Sequence, residues 1–142
     1  MDKVIADTVE AGRAHFMETL GNLPEPIRAM MEHLPEHFVG YLQFRKAVYR
    51  TRQEGAHLDL KTKELLYTVL DIVTGNLDGA KNHGRAAYAA GMTSGELAEA
   101  CMQVMHVCGV TTWGKTGYKV VDFIAELERA GTGRKLGTGN PA

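Results

Sequence analysis

The chain has 142 residues, 44% of them hydrophobic and 23% charged, which suits one water-soluble globular domain. Its 16 Lys and Arg residues against 17 Asp and Glu residues give a net charge of -1, which excludes the broad positive surface that binds nucleic acids or anionic lipids. No segment approaches the ~20 apolar residues of a membrane span, and the first residues do not form a targeting segment, so we expect a cytoplasmic protein.

The apolar residues of the first part of the chain recur with a helical period. We expect a first helix from about Lys3 to Leu20 that ends at Gly21, a short helix from Ile27 to His33, and a third helix that begins at Pro35. Gly55 closes this part of the chain.

Further helices are expected after Gly55. Asp59 is placed to cap a helix from Leu60 to about Thr74, whose apolar residues cover most of its circumference, so we expect it in the core. After a break at Gly75, an alanine-rich helix returns antiparallel to it and stops at Gly91. A capping box at Thr93 starts the next helix, and a final helix carries Trp113 to Leu127.

These elements predict an all-α fold, a single-domain bundle of about six helices over residues 1–130, with a flexible tail over residues 131–142. A chain of this length has little spare core to enclose a pocket, so a ligand site is expected to need a neighbouring subunit. We therefore expect a homo-oligomer.

The candidate catalytic residues are Glu64 and His83. If their helices are antiparallel, the two residues lie at similar distances from the turn, and a carboxylate that orients an imidazole forms a working acid–base pair. The alternative is a solvated Glu64 at its helix start and a surface His83. Asp71 is either a second carboxylate of the same cleft or the ion-pair partner of Arg85 or Lys81.

The two cysteines, Cys101 and Cys108, lie about 10 Å apart on one predicted helix, too far for a disulfide, and with Met105 they form a face typical of core packing. His33 and His37 have metal-ligand spacing, but Pro35 interrupts their helix, and we expect no metal. Cys-x-x-Cys, Gly-rich phosphate-loop and Gly-x-Ser-x-Gly motifs are all absent from the sequence.

Residues 58–121 resemble the carboxymuconolactone decarboxylase family. In that family a Glu precedes a His by nineteen residues, as Glu64 precedes His83 here. The redox branch, the alkylhydroperoxidase D proteins, places a Cys-x-x-Cys between them, where this chain has Asn76 and Gly79, so the resemblance is to the branch without that motif. The remaining matches are Lys63-Glu64-Leu65, His83-Gly84-Arg85-Ala86-Ala87, Ala90-Gly91-Met92-Thr93 with Glu96, and Val107-Cys108-Gly109-Val110.

The resemblance implies an alkylhydroperoxidase D-like fold, a trimer or hexamer, and a cofactor-free lyase that decarboxylates a small cyclic carboxylate or lactone in aromatic compound catabolism. His83 would protonate the dienolate left by CO2, and Glu64 would fix its tautomer. The redox-free decarboxylases often carry an acidic residue where this chain has Gly79. The expected substrate-binding residues are Asp71, Asn76, Arg85 and Trp113.

Two alternatives remain at this point. One is a catalytically idle oligomeric or binding protein that kept the scaffold. The other is a thiol-dependent peroxidase acting through Cys108. Convergence of Glu64 and His83 in a cleft lined by apolar residues such as Trp113 or Phe38 would favour the lyase.

Overall fold

The computed structural model describes residues 2–133, and every regular element in this range is helical, as the sequence predicted. The chain divides into two compact units, with the boundary between His57 and Leu58. Most of the tail predicted over residues 131–142 lies outside the described residues.

The first unit contains helices α1 (Lys3–Leu20), α2 (Glu25–His33) and α3 (Pro35–Val48), and a single 3-10 turn, Arg52–Glu54. The predicted bounds of α1 are confirmed at both ends. The side chain of Asp2 caps its start, and Gly21 ends it. Helix α2 begins two residues earlier than predicted, since Pro26 fits within its first turn.

Arg45 is the unusual core residue of the first unit, because it is buried between rings rather than beside a carboxylate. Its guanidinium carbon lies 4.0 Å from the ring centroid of Phe16 and 4.1 Å from that of Tyr49. Its Nη2 donates a hydrogen bond to Thr19 Oγ1 at 3.0 Å. Cation–π contacts therefore hold this charge between α1 and α3.

The second unit contains α4 (Leu60–Thr74), α5 (Leu77–Ala89), α6 (Ser94–Cys108) and α7 (Tyr118–Ala130). Asp59 caps α4 through the Thr62 amide, and Thr93 forms the predicted capping box with Glu96. The segment Trp113–Gly117 is a π-helical turn that runs into α7, which the apolar period did not predict.

Helices α4 and α5 form an antiparallel hairpin, and Gly84 lets α5 pack closely on two neighbours. A Cβ atom at Gly84 would stand 3.3 Å from Val120 Cγ1 of α7 and 3.6 Å from Thr68 Cγ2 of α4. Small residues of α5 thus bring α4 and α7 together. The buried core around this contact comprises Ile72, Ala80, Ala87, Tyr88, Met92, Leu97, Cys101, Val120 and Ile124.

The prediction that the apolar residues of α4 lie in the core is partly wrong. Its buried residues are Glu64, Thr68 and Ile72, whereas Leu66 and Leu70 are exposed, the latter by 60%. Helices α5 and α6 and the π-helical turn pack on α4 within this unit and cover one face. The apolar stripe on the other face is left in contact with solvent.

Among residues 2–133, no helix has both the length and the apolar character needed to span a bilayer.

Candidate active site

Glu64 and His83 face each other across the α4–α5 hairpin. His83 Nδ1 lies 2.7 Å from Glu64 Oε2, and the Glu64 carboxylate is only 3% exposed. The pairing follows from the antiparallel course of the two helices, since Glu64 lies in the first turns of α4 and His83 in the middle of α5. The alternative of a solvated Glu64 is therefore wrong.

The Glu64 carboxylate determines how the His83 imidazole can exchange protons. An ionised carboxylate only accepts hydrogen bonds, so Nδ1 carries the hydrogen of this contact. The other ring nitrogen, Nε2, is then the one suited to proton exchange with a ligand. Thr68 lies one turn after Glu64, and its Oγ1 donates a hydrogen bond to the Glu64 main-chain carbonyl oxygen at 2.7 Å.

Tyr67 is a site residue that the sequence analysis missed. Its ring is stacked on the His83 imidazole, with centroids 4.6 Å apart and an interplanar angle of 19°. Tyr67 lies three residues after Glu64, a spacing that puts both side chains on one helix face. That spacing was the signal available in the sequence, and the stacking restricts rotation of the imidazole.

Asp71 and Asn76 meet at the turn between α4 and α5. Asn76 Nδ2 donates a hydrogen bond to Asp71 Oδ1 at 3.1 Å, while Asn76 Oδ1 accepts one from the Gly79 amide at 3.2 Å. Burial raises the pKa of Asp71, an effect opposed by the Asn76 hydrogen bond and by a positive charge on His83. Asp71 and His83 are therefore close enough to interact electrostatically.

Arg85 and Lys81 lie on the side of α5 that faces α7, where both cations are near the Phe123 ring. The ring centroid is 5.1 Å from the Arg85 guanidinium carbon and 5.5 Å from Lys81 Nζ. The structural ion pair considered for Asp71 is therefore wrong, since its side chain bonds to Asn76 instead. Arg85 is not brought into contact with the Glu64–His83 pair.

The two apolar residues expected to line the cleft have different surroundings. Trp113 is half-buried in the second unit, where its ring packs on the backbone of Gly117 and lies 6.5 Å, centroid to centroid, from Tyr118. Phe38 belongs to the first unit and is fully buried there. The role of Trp113 in substrate binding remains a prediction.

The two thiols differ in exposure. Cys101 is buried in the core, and burial raises the pKa of its thiol to about 11, so it is a poor nucleophile. Cys108 is exposed at the last residue of α6. Neither thiol is in a disulfide.

No group of three or more His, Cys, Asp or Glu side chains within residues 2–133 is arranged to hold a metal ion.

Comparison with known proteins agrees with this architecture. Residues 35–116, more than half of the chain, match the model of the Carboxymuconolactone decarboxylase family. The chain belongs to this family. The matched range begins in α3, before the residues 58–121 on which the resemblance was first based, and includes the Glu64–His83 pair.

Comparison with a solved structure extends the match to most of the chain. The crystal structure, at 1.65 Å, of a Burkholderia xenovorans LB400 protein provisionally described as a carboxymuconolactone decarboxylase superposes with a TM-score of 0.84. The two proteins are 36% identical, and the match covers 89% of this chain and 95% of the other. No curated protein matches the sequence.

Proposed function

We propose that this protein is a cofactor-free lyase that removes CO2 from a small cyclic carboxylate or lactone, with His83 as the proton donor. The observation that carries the proposal is the 2.7 Å contact between His83 Nδ1 and the buried Glu64 carboxylate. Such a contact fixes one tautomer, in which Nε2 is the ring nitrogen suited to acid–base work. Membership of the Carboxymuconolactone decarboxylase family supports the substrate class.

The reaction needs one proton and releases one CO2. The bond between the ring carbon and the substrate carboxylate breaks, and its electron pair remains on the ring as a dienolate. The proton on Nε2 of the His83 imidazolium then adds to the ring carbon. Glu64 stabilises the imidazolium before this transfer, and the neutral imidazole regains a proton from solvent.

The proposal is tested by CO2 release from carboxymuconolactone. General acid catalysis contributes about 100- to 10,000-fold, so His83→Ala should lose activity on that scale. Removing His83 also leaves the buried Glu64 without its partner, so a second variant, His83→Gln, retains an amide donor for Glu64 and separates loss of chemistry from loss of stability. Glu64→Gln should also be impaired, by up to about 10,000-fold, because a glutamine permits the wrong tautomer.

The matched control is His106→Ala, which removes an exposed imidazole from α6. It should retain wild-type activity. Activity that survives in both His83 variants would contradict the proposed chemistry, and a wild-type protein that releases no CO2 would favour a catalytically idle binding protein.

A further inference from the structure

The Asp71 carboxyl group has no role in the proton transfer described above, yet its orientation is fixed. The Gly79 amide can only donate, so it binds the Asn76 carbonyl oxygen and turns the Asn76 amide nitrogen towards Asp71. Oδ1 of Asp71 accepts that hydrogen bond. Within the described residues, Oδ2 is left without a hydrogen-bond partner.

Oδ2 lies in the space that a side chain at position 79 would occupy. A Cβ atom added to Gly79 would stand 2.5 Å from Asp71 Oδ2, closer than atoms can approach. Gly79 and His83 are four residues apart and share one face of α5. The unbonded oxygen of Asp71 therefore lies on the face of α5 that carries His83, one helical turn earlier.

The Asp71 carboxyl group is half-buried, and burial is the largest influence on its pKa, which is raised although the Asn76 hydrogen bond and a positive charge on His83 oppose the shift. An ionised Asp71 would also repel a substrate that carries a carboxylate, whereas a protonated one can donate to it. Since Asn76 donates to Oδ1, the proton of the neutral acid belongs on Oδ2.

We propose that Asp71 is a second catalytic residue, whose protonated Oδ2 donates a hydrogen bond to the substrate oxygen that becomes negative as CO2 leaves. This role rests on the proposed lyase function. Asp71 retains its proton throughout, because the proton consumed in the reaction comes from His83. A neutral carboxylic acid held beside a developing oxyanion stabilises the transition state as other buried donors do.

Two substitutions distinguish this donor from an ionised base. Asp71→Asn keeps an N–H donor near the position of Oδ2 and an acceptor for Asn76, so CO2 release should stay within about tenfold of wild type. Asp71→Leu removes the donor and should lose about 100- to 1,000-fold in kcat. Equal loss in both variants would show that the carboxylate itself is needed and would overturn the proposal, as would full activity of Asp71→Leu.

The pH dependence gives a second readout that a purely structural role would not change. Wild-type activity should fall as pH rises through the pKa of Asp71, because the donor is then lost, and Asp71→Asn should lack this component. The control is Asp78→Asn, an exposed carboxyl group in the first turn of α5, which should keep the wild-type profile.

Carbon-13 NMR titration of the carboxyl groups tests the protonation state without any substrate. Asp71 should titrate above the usual range of an aspartate carboxyl group, and its midpoint should rise further in Asn76→Ala, which removes the hydrogen bond that favours the charged form. Titration of Asp71 within or below that range would overturn the proposal. If Asp71 has a raised pKa but the wild-type protein releases no CO2, the result would count against the lyase function and not against the protonation of Asp71.

Discussion

Gly79 is the residue on which the position of the Asp71 carboxyl group depends. Even a methyl group at this position would collide with Asp71 Oδ2, and also with Asn76, whose Cγ lies 2.8 Å from the added Cβ. The two side chains that fill the space come from the end of α4 and from the cap of α5. A larger residue at position 79 would therefore prevent the observed hydrogen bond between Asp71 and Asn76.

Gly79→Ala should displace the Asp71–Asn76 pair and lower CO2 release by up to about 100-fold, since a shift of about 1 Å in a catalytic group can cost that much. Stability should change little, because alanine favours the helix by about 1 kcal/mol and offsets part of the strain. The control is Gly95→Ala in α6, where the added Cβ meets its nearest neighbour at 3.7 Å. Unchanged activity and an unchanged Asp71 carbon-13 shift in Gly79→Ala would contradict this expectation.

The α1–α3 pair contains His15, whose surroundings disfavour its protonated form. His15 packs edge to face on Tyr49, and its buried Nε2 has no hydrogen-bond partner in the described structure. Burial, followed by the charges of Arg45 and Lys46, lowers the pKa of His15 below 6.5, and Glu18 opposes this more weakly.

The lowered pKa of His15 makes the free energy of unfolding depend on pH. The unfolded chain binds the proton more readily than the folded one, so the free energy of unfolding should be greatest above pH 6.5 and fall as pH decreases below it. Urea denaturation at about pH 7.5 and about pH 5.5 measures this loss. His15→Gln should reduce the difference between the two pH values, whereas the exposed His57→Gln should not. An equal pH dependence in His15→Gln would exclude His15 as its source.

The helices were predictable because their signals are local. Asp59 and Thr93 cap α4 and α6 where the sequence placed them, and Gly21 ends α1. The buried face of α4 was not predictable in the same way, because apolar residues surround that helix and only the packing of α5 and α6 selects a face. The π-helical turn before α7 likewise has no sequence pattern that distinguishes it from a regular helix.

The candidate site was predictable to the extent that it lies within one hairpin. Glu64 and His83 could be paired because the turn at Gly75 fixes their register. The surroundings of Arg85 and Trp113 could not be predicted from the sequence, since residue type alone does not say which neighbouring helix a side chain faces. Tertiary packing, which the sequence specifies only collectively, decides those positions.

Helix α4 carries an exposed apolar stripe. Leu66, Leu70 and Val73 are 45%, 60% and 41% exposed and follow one another at helical spacing. Contiguous apolar residues of this kind on a soluble protein commonly mark an interface. We propose that a second copy of the chain covers this stripe.

Light scattering coupled to size-exclusion chromatography tests this expectation. The wild type should elute as a trimer or hexamer, and the double variant Leu66→Gln, Leu70→Gln should elute as a smaller species, because its interface loses apolar area. Met17→Gln, which alters an exposed apolar residue of α1, should not change the assembly. A monomeric wild type would contradict the proposal.

The residues proposed to act in catalysis all lie between residue 64 and residue 83, since one turn joins the two helices that carry them. Closing so short a loop costs little entropy, and contacts of such low sequence separation form early in folding. The Glu64–His83 pair should therefore assemble before contacts between more distant segments. Insertions elsewhere in the chain can alter stability or association without changing the register of this pair.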